Sequence, residues 1–582
     1  MKRSSTTRRL GGVGVLAAAL LWGGLVPPSS GAGAPAEAGV SVDSILTEAR
    51  YLSGENEANL DSRFAPRLST AMFPAYLEAR LATYQEPLGA NVGLVSFDPG
   101  FETMGGDTTR NPYTNVVGIV SGTLAAAKPG FFLLGAHLDA TAQRDADFEA
   151  SPRTLAAPGA DDNGSGLVTL LEVARVMGVR GLRPEANLVI TFFDGEEQQL
   201  PEHDKFLLGS EVMAGAELDT LEESLGPLLG FVNLDMVAYN PRRDSLVVLT
   251  NITSRWLADE ILTVQAAMGV PESEFMMSRD VAALTYSDHA PFWRRGRDAV
   301  LLIENPAIEQ HAPHYHRHLD TVANTYSRGG SQVVHTAEMV LALVASWSRG
   351  EGTSDLRTGA EDIFFRRGSR VDLDRTEVGR SVTVAAGVVN LGATRTEPWR
   401  VRAWVEIEGR TVETFAAQDG PVPLPAGGHA RLYFDWIPTE AEAGEPVVRV
   451  AVEAPGDGPG GETAGRALAV EGQDAGIRRA YVYPNPTRSG ARPTLHYELT
   501  RGGPMRLELL DLTGRQLEER VLPFDPVAPA PGVGVGAADL DLGALFRIGD
   551  LAPGLYLIRL ELFNENGVGA RESRVTRWAL VR

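Results

Sequence analysis

Short, almost continuous apolar runs recur from Asn115 onward and predict strands at Val116–Val120, Phe131–Leu134, Leu188–Phe193, Gly230–Leu234, Leu246–Thr250 and Val300–Ile303. Between them, apolar residues at helical spacing predict helices over Leu167–Met177, Arg255–Met268 and Gln332–Trp347. This alternation implies an α/β domain, a mixed and mostly parallel sheet sandwiched by helices. Upstream, Val42–Leu52 and Phe73–Leu81 also have helical spacing and predict an N-terminal layer on the same domain, which is expected to close near Arg349. The pattern changes after the polar, glycine-containing linker 350–360. Strand-like runs at Ser381–Val389, Val401–Ile407, Ala430–Trp436 and Val447–Val452 are then separated by Gly/Pro turns, as in a β-sandwich spanning 361–471. A second all-β unit is expected over 477–582, interrupted by a Pro/Gly/Ala-rich loop insertion from Leu522 to Ala538.

A chain of 582 residues exceeds one ordinary core, in keeping with several folded units. Its formal charge of −22 would repel nucleic acid and anionic membranes, so neither is expected as a partner. Residues 1–38 carry Lys2, Arg3, Arg8 and Arg9, an apolar run from Leu10 to Val26 and an Ala36-Glu37-Ala38 ending. Together these predict a removable export signal, hence a secreted or cell-surface protein with no transmembrane anchor after processing. The absence of cysteine excludes disulfides, thiolate ligands and a cysteine nucleophile. A metal centre in this chain must therefore use His, Asp and Glu.

Several groups of that kind follow the predicted strands. FFLLGAHLDA brings His137 and Asp139, GADDNGSG brings Asp161 and Asp162, ITFFDGEEQQ brings Asp194, Glu196 and Glu197, FVNLDMV brings Asp235, and HYHRHLDT brings His316 and Asp320. Ligands gather in this way at the carboxyl ends of strands in an open α/β sheet. Adjacent carboxylates at a buried strand end require a cation or a shared proton, so of Glu196 and Glu197 one is expected as a ligand and one as general base. Asp139 is expected to support His137, and Asp320 stands four residues after His316. HAPHYHRH also contains His314 and His318, which are either surface histidines or substrate contacts.

The ordered series GAHLDA, APGADDNGSG, FFDGEE, VNLDM, YSDHAPF and HxxxDT resembles the co-catalytic zinc aminopeptidase family that includes aminopeptidase Y, with glutaminyl cyclases and glutamate carboxypeptidases as relatives. The resemblance implies a zinc exopeptidase acting on peptides with two zinc ions. By it His137 and Asp235 hold one zinc, Glu197 and His316 the other, and Asp162 bridges them. It further implies Glu196 as the general base, with Asp139 grouped beside it in the catalytic set, and a cis peptide after Asp162. Tyr286, in the segment facing substrate, is a candidate oxyanion donor. The polar stretch Gln198–Lys205 departs from the family and is expected to reshape the pocket. Alternatives of the same fold are a carboxypeptidase or a glutaminyl cyclase; outside the enzymes, the alternative is a catalytically silent adhesion protein. The 361–471 unit resembles CARDB-like adhesion sandwiches. YVYPNPTRSG, LELLDLTGRQL and LAPGLYLIRLE in the last unit are similar to the sorting domain of type IX secretion substrates, which would contact the secretion machinery or cell surface.

Overall fold

The structure is a computed structural model and describes residues 39–55, 72–97, 113–125, 128–148, 155–197, 206–281, 285–305, 312–348, 354–368, 370–455, 463–471, 477–488, 491–499, 504–522, 536–563 and 570–581. The predicted export signal, the stretch Gln198–Lys205, residues 350–353 of the linker and most of the Leu522–Ala538 insertion lie outside the described residues. Among the described residues no helix is long and apolar enough to cross a membrane.

An eight-stranded sheet organises the first domain, with strands β1 (Asn91–Phe97), β2 (Tyr113–Val120), β3 (Phe131–His137), β4 (Asn187–Phe193), β5 (Leu228–Leu234), β6 (Asp244–Thr250), β7 (Phe275–Val281) and β8 (Ala299–Ile303). Their order across the sheet is β1-β2-β4-β3-β5-β8-β6-β7. The central four, β4, β3, β5 and β8, are mutually parallel. β2 and β6 run against their central neighbours. Strands covered on both faces read as unbroken apolar runs, and every residue of β3 and β4 is buried. The edge strand β1 has alternating half-buried and exposed positions, which is why its pattern is faint in the sequence. β7 is the other edge, and the apolar pattern does not mark it either.

Helix α1 (Val42–Leu52) begins where the Ser41 side chain accepts the Ser44 N–H, and buries Ile45, Ala49 and Leu52 along one face. Helix α2 (Met72–Gln85) packs on α3 (Gly164–Arg180). α3 is capped by the Asn163 side chain at one end and by Gly181, in the left-handed conformation, at the other. The helix Ser331–Ser346 lies beside α3 and completes that layer.

Two further cores follow. One lies between two five-stranded sheets and draws on Ile363, Val384, Trp399, Val450 and Trp436. The other lies between a three-stranded and a five-stranded sheet, around Tyr497, Ile558 and Trp578. The first of these sandwiches is docked firmly on the α/β domain. Arg431 donates to both Asp298 oxygens (3.1 and 3.0 Å) and to the Thr253 carbonyl (2.8 Å). Trp256 donates to Asp298 (3.0 Å) and stacks on the buried His429 ring at 4.5 Å between centroids. Burial, reinforced by the nearby Arg431 charge, holds that imidazole well below its ordinary range, so it is neutral. Gly427 (φ 70°) passes so close to Trp347 that a Cβ there would sit 2.2 Å from the indole, which is itself stacked on Phe132. Glu185, whose carboxylate accepts the Ala426 N–H (3.1 Å), lies with Asp298 and Thr253 at the end of the sheet where the four parallel strands begin or β6 ends.

Candidate metal centre

At the opposite edge, where the parallel strands end, their carboxyl termini deliver a convergent set of side chains. His137 is the last residue of β3, Glu196 and Glu197 follow β4, and Asp235 follows β5. Asp162 arrives in the turn that starts α3, tied down from two directions. The Asp320 carboxylate accepts the N–H groups of Asp161 (3.0 Å) and Asp162 (3.1 Å), and the Asn163 amide donates to the Leu234 carbonyl (2.7 Å). The Asp162–Asn163 peptide is cis. The turn lies hard against β5. A Cβ on Gly166 would approach the Leu234 carbonyl oxygen to 2.9 Å, so this first turn of α3 takes only glycine there.

Asp162 presents its two oxygens to two different imidazoles, Oδ1 at 3.2 Å from His137 Nε2 and Oδ2 at 3.0 Å from His316 Nε2. Asp235 lies 3.3 Å from the same His137 nitrogen, and Glu197 lies 3.1 Å from that of His316. Two sets of three donor atoms result, His137–Asp162–Asp235 and Asp162–Glu197–His316, each with all of its atoms within 4.8 Å of one another. A third grouping joins His137 with Glu196 and Glu197. All of these residues are buried, none more than 7% exposed.

Supporting contacts orient the donors. The Asp139 carboxylate accepts the N–H groups of Glu196 (3.1 Å) and Glu197 (3.2 Å) and lies 3.5 Å from His137 Nδ1. It thus holds three of the converging residues at once without entering either donor set. Ser287 donates to Asp235 (2.7 Å) and is held in turn by Asn233 (2.8 Å). The side-chain amide of Gln143 lies 2.6 Å from Nδ1 of His316. Nothing in the sequence marked Gln143, a neutral residue in a loop that meets His316 only in the fold.

The electrostatics are those of a buried cluster in which carboxylates outnumber imidazoles. Burial works against protonated imidazole, yet Asp235, Glu196, Asp139 and Asp162 together hold His137 well above its ordinary range. His316 is pushed up to about 9, with burial again opposing and Glu197 and Asp162 prevailing. Burial likewise pushes Glu197 up to about 7 despite His316, and raises Glu196, which also faces Glu197, Asp288 and Asp235, well above the carboxylate range. Asp162 is held below its usual range, burial being outweighed by His137 and His316. Imidazole nitrogens and carboxylate oxygens, one carboxylate shared and no thiolate, make a donor set suited to zinc.

The donors open into a pocket of about 160 Å³ whose apolar wall consists of Phe206, Met236, Tyr286, Ile303 and Tyr315. A cavity of roughly 150 Å³ accepts a benzene ring, so the space suits one amino-acid side chain. Tyr286 stands in this wall, as its sequence context suggested. Of the spare histidines, His318 is half exposed and bonded to Asp145 at 2.7 Å, and does not line the pocket.

Known proteins resemble the part of the chain that builds this centre. A protein described as "Probable zinc metalloprotease" from Pyrenophora teres f. teres (strain 0-1) is 29% identical over 174 residues, covering 29% of this chain and 34% of that protein. Leucine aminopeptidase 1 of Trichophyton equinum is 29% identical over 212 residues, covering 34% of this chain and 51% of that protein. The chain thus spans about a third to a half of the length of these curated relatives. Among solved structures, a Zn-dependent exopeptidase from Parabacteroides distasonis ATCC 8503 aligns with a TM-score of 0.41 and 19% identity, covering 53% of this chain and 98% of that one. Residues 115–344, the span that contributes every member of the donor cluster, match the family model described as Peptidase family M28.

Proposed function

We propose that this protein is an exported, zinc-dependent aminopeptidase that removes N-terminal residues from peptides at a site built for two zinc ions. The observation that carries the reading is the split engagement of Asp162, one oxygen toward His137 and the other toward His316, which a carboxylate bridging two cations requires. Bound zinc would supply Lewis acidity and lower the pKa of a water molecule toward neutrality. His137 and Asp235 would hold one ion, Glu197 and His316 the other.

The remaining steps belong to the chain's own groups. Glu196 faces the pocket with its proton affinity raised by burial and by neighbouring carboxylates, as a group must be that takes a proton from water and passes it to the leaving amine. Asp139 holds the backbone of Glu196 and Glu197 in place. The Tyr286 side chain, which lines the pocket, is read as the donor toward the scissile carbonyl. The apolar wall excludes water from one side chain of the substrate. The relatives named leucine aminopeptidase support this direction of cleavage. The two β units are read as an adhesion-type sandwich and a sorting domain for passage to the cell surface.

The test is a peptide series, free or acetylated at the N-terminus and free or amidated at the C-terminus, with zinc measured on the same sample. An aminopeptidase requires the free amine. A requirement for the free carboxylate instead would make the protein a carboxypeptidase, and conversion of N-terminal glutamine without cleavage would make it a cyclase. Glu196→Gln should retain zinc and lose on the order of 10²-fold or more in kcat; unchanged turnover would remove Glu196 from the chemistry.

A further inference from the structure

The two histidines of the cluster are backed by different groups. Behind His137, Nδ1 faces the Asp139 carbonyl oxygen at 3.1 Å and the Asp139 carboxylate at 3.5 Å. Behind His316, Nδ1 faces the neutral amide of Gln143. In both rings Nε2 points at the carboxylates, so a cation seated there takes the Nε2 lone pair and leaves the proton on Nδ1. In the structure the Gln143 amide turns its nitrogen, Nε2, toward His316 Nδ1 at 2.6 Å. With the proton on Nδ1, the same amide rotated by half a turn accepts that proton through its oxygen. A carboxylate behind a ligating imidazole raises its basicity and strengthens its bond to the metal, whereas an amide orients the ring without adding charge.

His316 also needs holding. Its backbone is left-handed, with φ of 58°, a conformation that costs a non-glycine residue energy and persists only when its surroundings enforce it. The turn after β3 supplies the restraint. Arg144 N–H donates to the His316 carbonyl (3.0 Å), the Arg317 side chain donates to the Arg144 carbonyl (3.0 Å), and the Asp145 carboxylate accepts the His318 N–H (2.6 Å). The Arg144 guanidinium covers the Tyr315 ring at 4.5 Å. Residues 143–145 and 315–318 are therefore zipped together on both sides of the metal-facing imidazole.

We infer that Gln143 is the positioning residue of the second cation seat, and that its neutral side chain makes the His316 seat the weaker of the two. This rests on the two-zinc reading above. The full-length protein is stripped of metal and titrated with zinc against a chromophoric chelator, alongside Gln143→Leu, Gln143→Glu and His316→Ala. The wild type should bind two zinc ions of unequal affinity. Gln143→Leu should weaken the lower-affinity ion about 10- to 100-fold and leave the other within threefold. Gln143→Glu should tighten the weaker ion, and His316→Ala should abolish that same isotherm.

The tighter ion in Gln143→Leu reports that the variant is folded. If that variant binds no zinc at all, Gln143→Glu decides, and failure to tighten the weaker ion overturns the inference. Equal weakening of both ions, or an unaltered weaker ion, in Gln143→Leu also overturns it while leaving the two-zinc reading intact. A wild type that binds no zinc overturns both.

Discussion

Zinc loading should depend steeply on pH, and the structure gives the size of the effect. His316 Nε2 lies 3.0 Å from Asp162 and 3.1 Å from Glu197, and these carboxylates, against the opposing effect of burial, hold its proton up to about 9. A cation entering that seat must displace the proton. Below pH 9 each unit of acidification makes the displacement tenfold harder, about 1.4 kcal/mol. From pH 8 to pH 6 this single group should therefore lower the apparent affinity of the His316 seat about 100-fold. Glu197, pushed up to about 7, adds a second competing proton below that pH, and His137 acts in the same sense at the other seat.

The metal-free protein should show the opposite trend. A group whose proton affinity rises on folding stabilises the native state fully below its unfolded value and loses that contribution as pH climbs through the folded one. For His316 the window runs from 6.5 to about 9 and corresponds to about 3 kcal/mol. The Glu197 window, from 4.5 to about 7, has the same sign. Because the two groups touch, their effects do not simply add. The Tm gap between zinc-loaded and chelator-treated protein should thus widen from pH 6 to pH 9. Competition titrations at pH 6, 7 and 8, corrected for protonation of the chelator, measure the affinity directly. A flat affinity across that range would refute the linkage.

Asp298→Ala should destabilise the junction between the α/β domain and the first sandwich by about 3–5 kcal/mol, because it leaves the mostly buried Arg431 guanidinium without its carboxylate. A urea midpoint unaltered from wild type would show that the two units are not coupled there. Deleting residues 477–582 should leave the purified peptidase active and change where the cell places it; unchanged export would contradict a sorting role.

The apolar runs foretold the central strands because those strands are covered on both faces, and they delivered His137, Glu196, Glu197 and Asp235 to one edge of the sheet. The order of the sheet was not legible. Nothing in Leu246–Thr250 distinguishes a strand that runs against β8 from one that runs with it. The half-exposed edges, β1 and β7, lack the continuous pattern that marks a covered strand. The helical segment from Leu208 to Leu225 follows a polar stretch and was hidden for a similar reason. In the site, the charged donors stood out because carboxylates carried to a buried strand end are tolerated only beside a cation or with a shared proton. Gln143 and Ser287 act through ordinary hydrogen bonds, and a sequence holds many such residues. The docking of His429 on Trp256 is likewise a meeting of two unremarkable positions 173 residues apart.

The sandwich grips the sheet where its parallel strands begin, and the pocket opens where they end. The α/β domain is thus mounted from behind. Any pull or tether transmitted through the sandwich reaches Glu185, Thr253 and Asp298, on the far side of the β-sheet from the donors. Among the described residues the donor pocket thus opens at the end of the sheet opposite the mount.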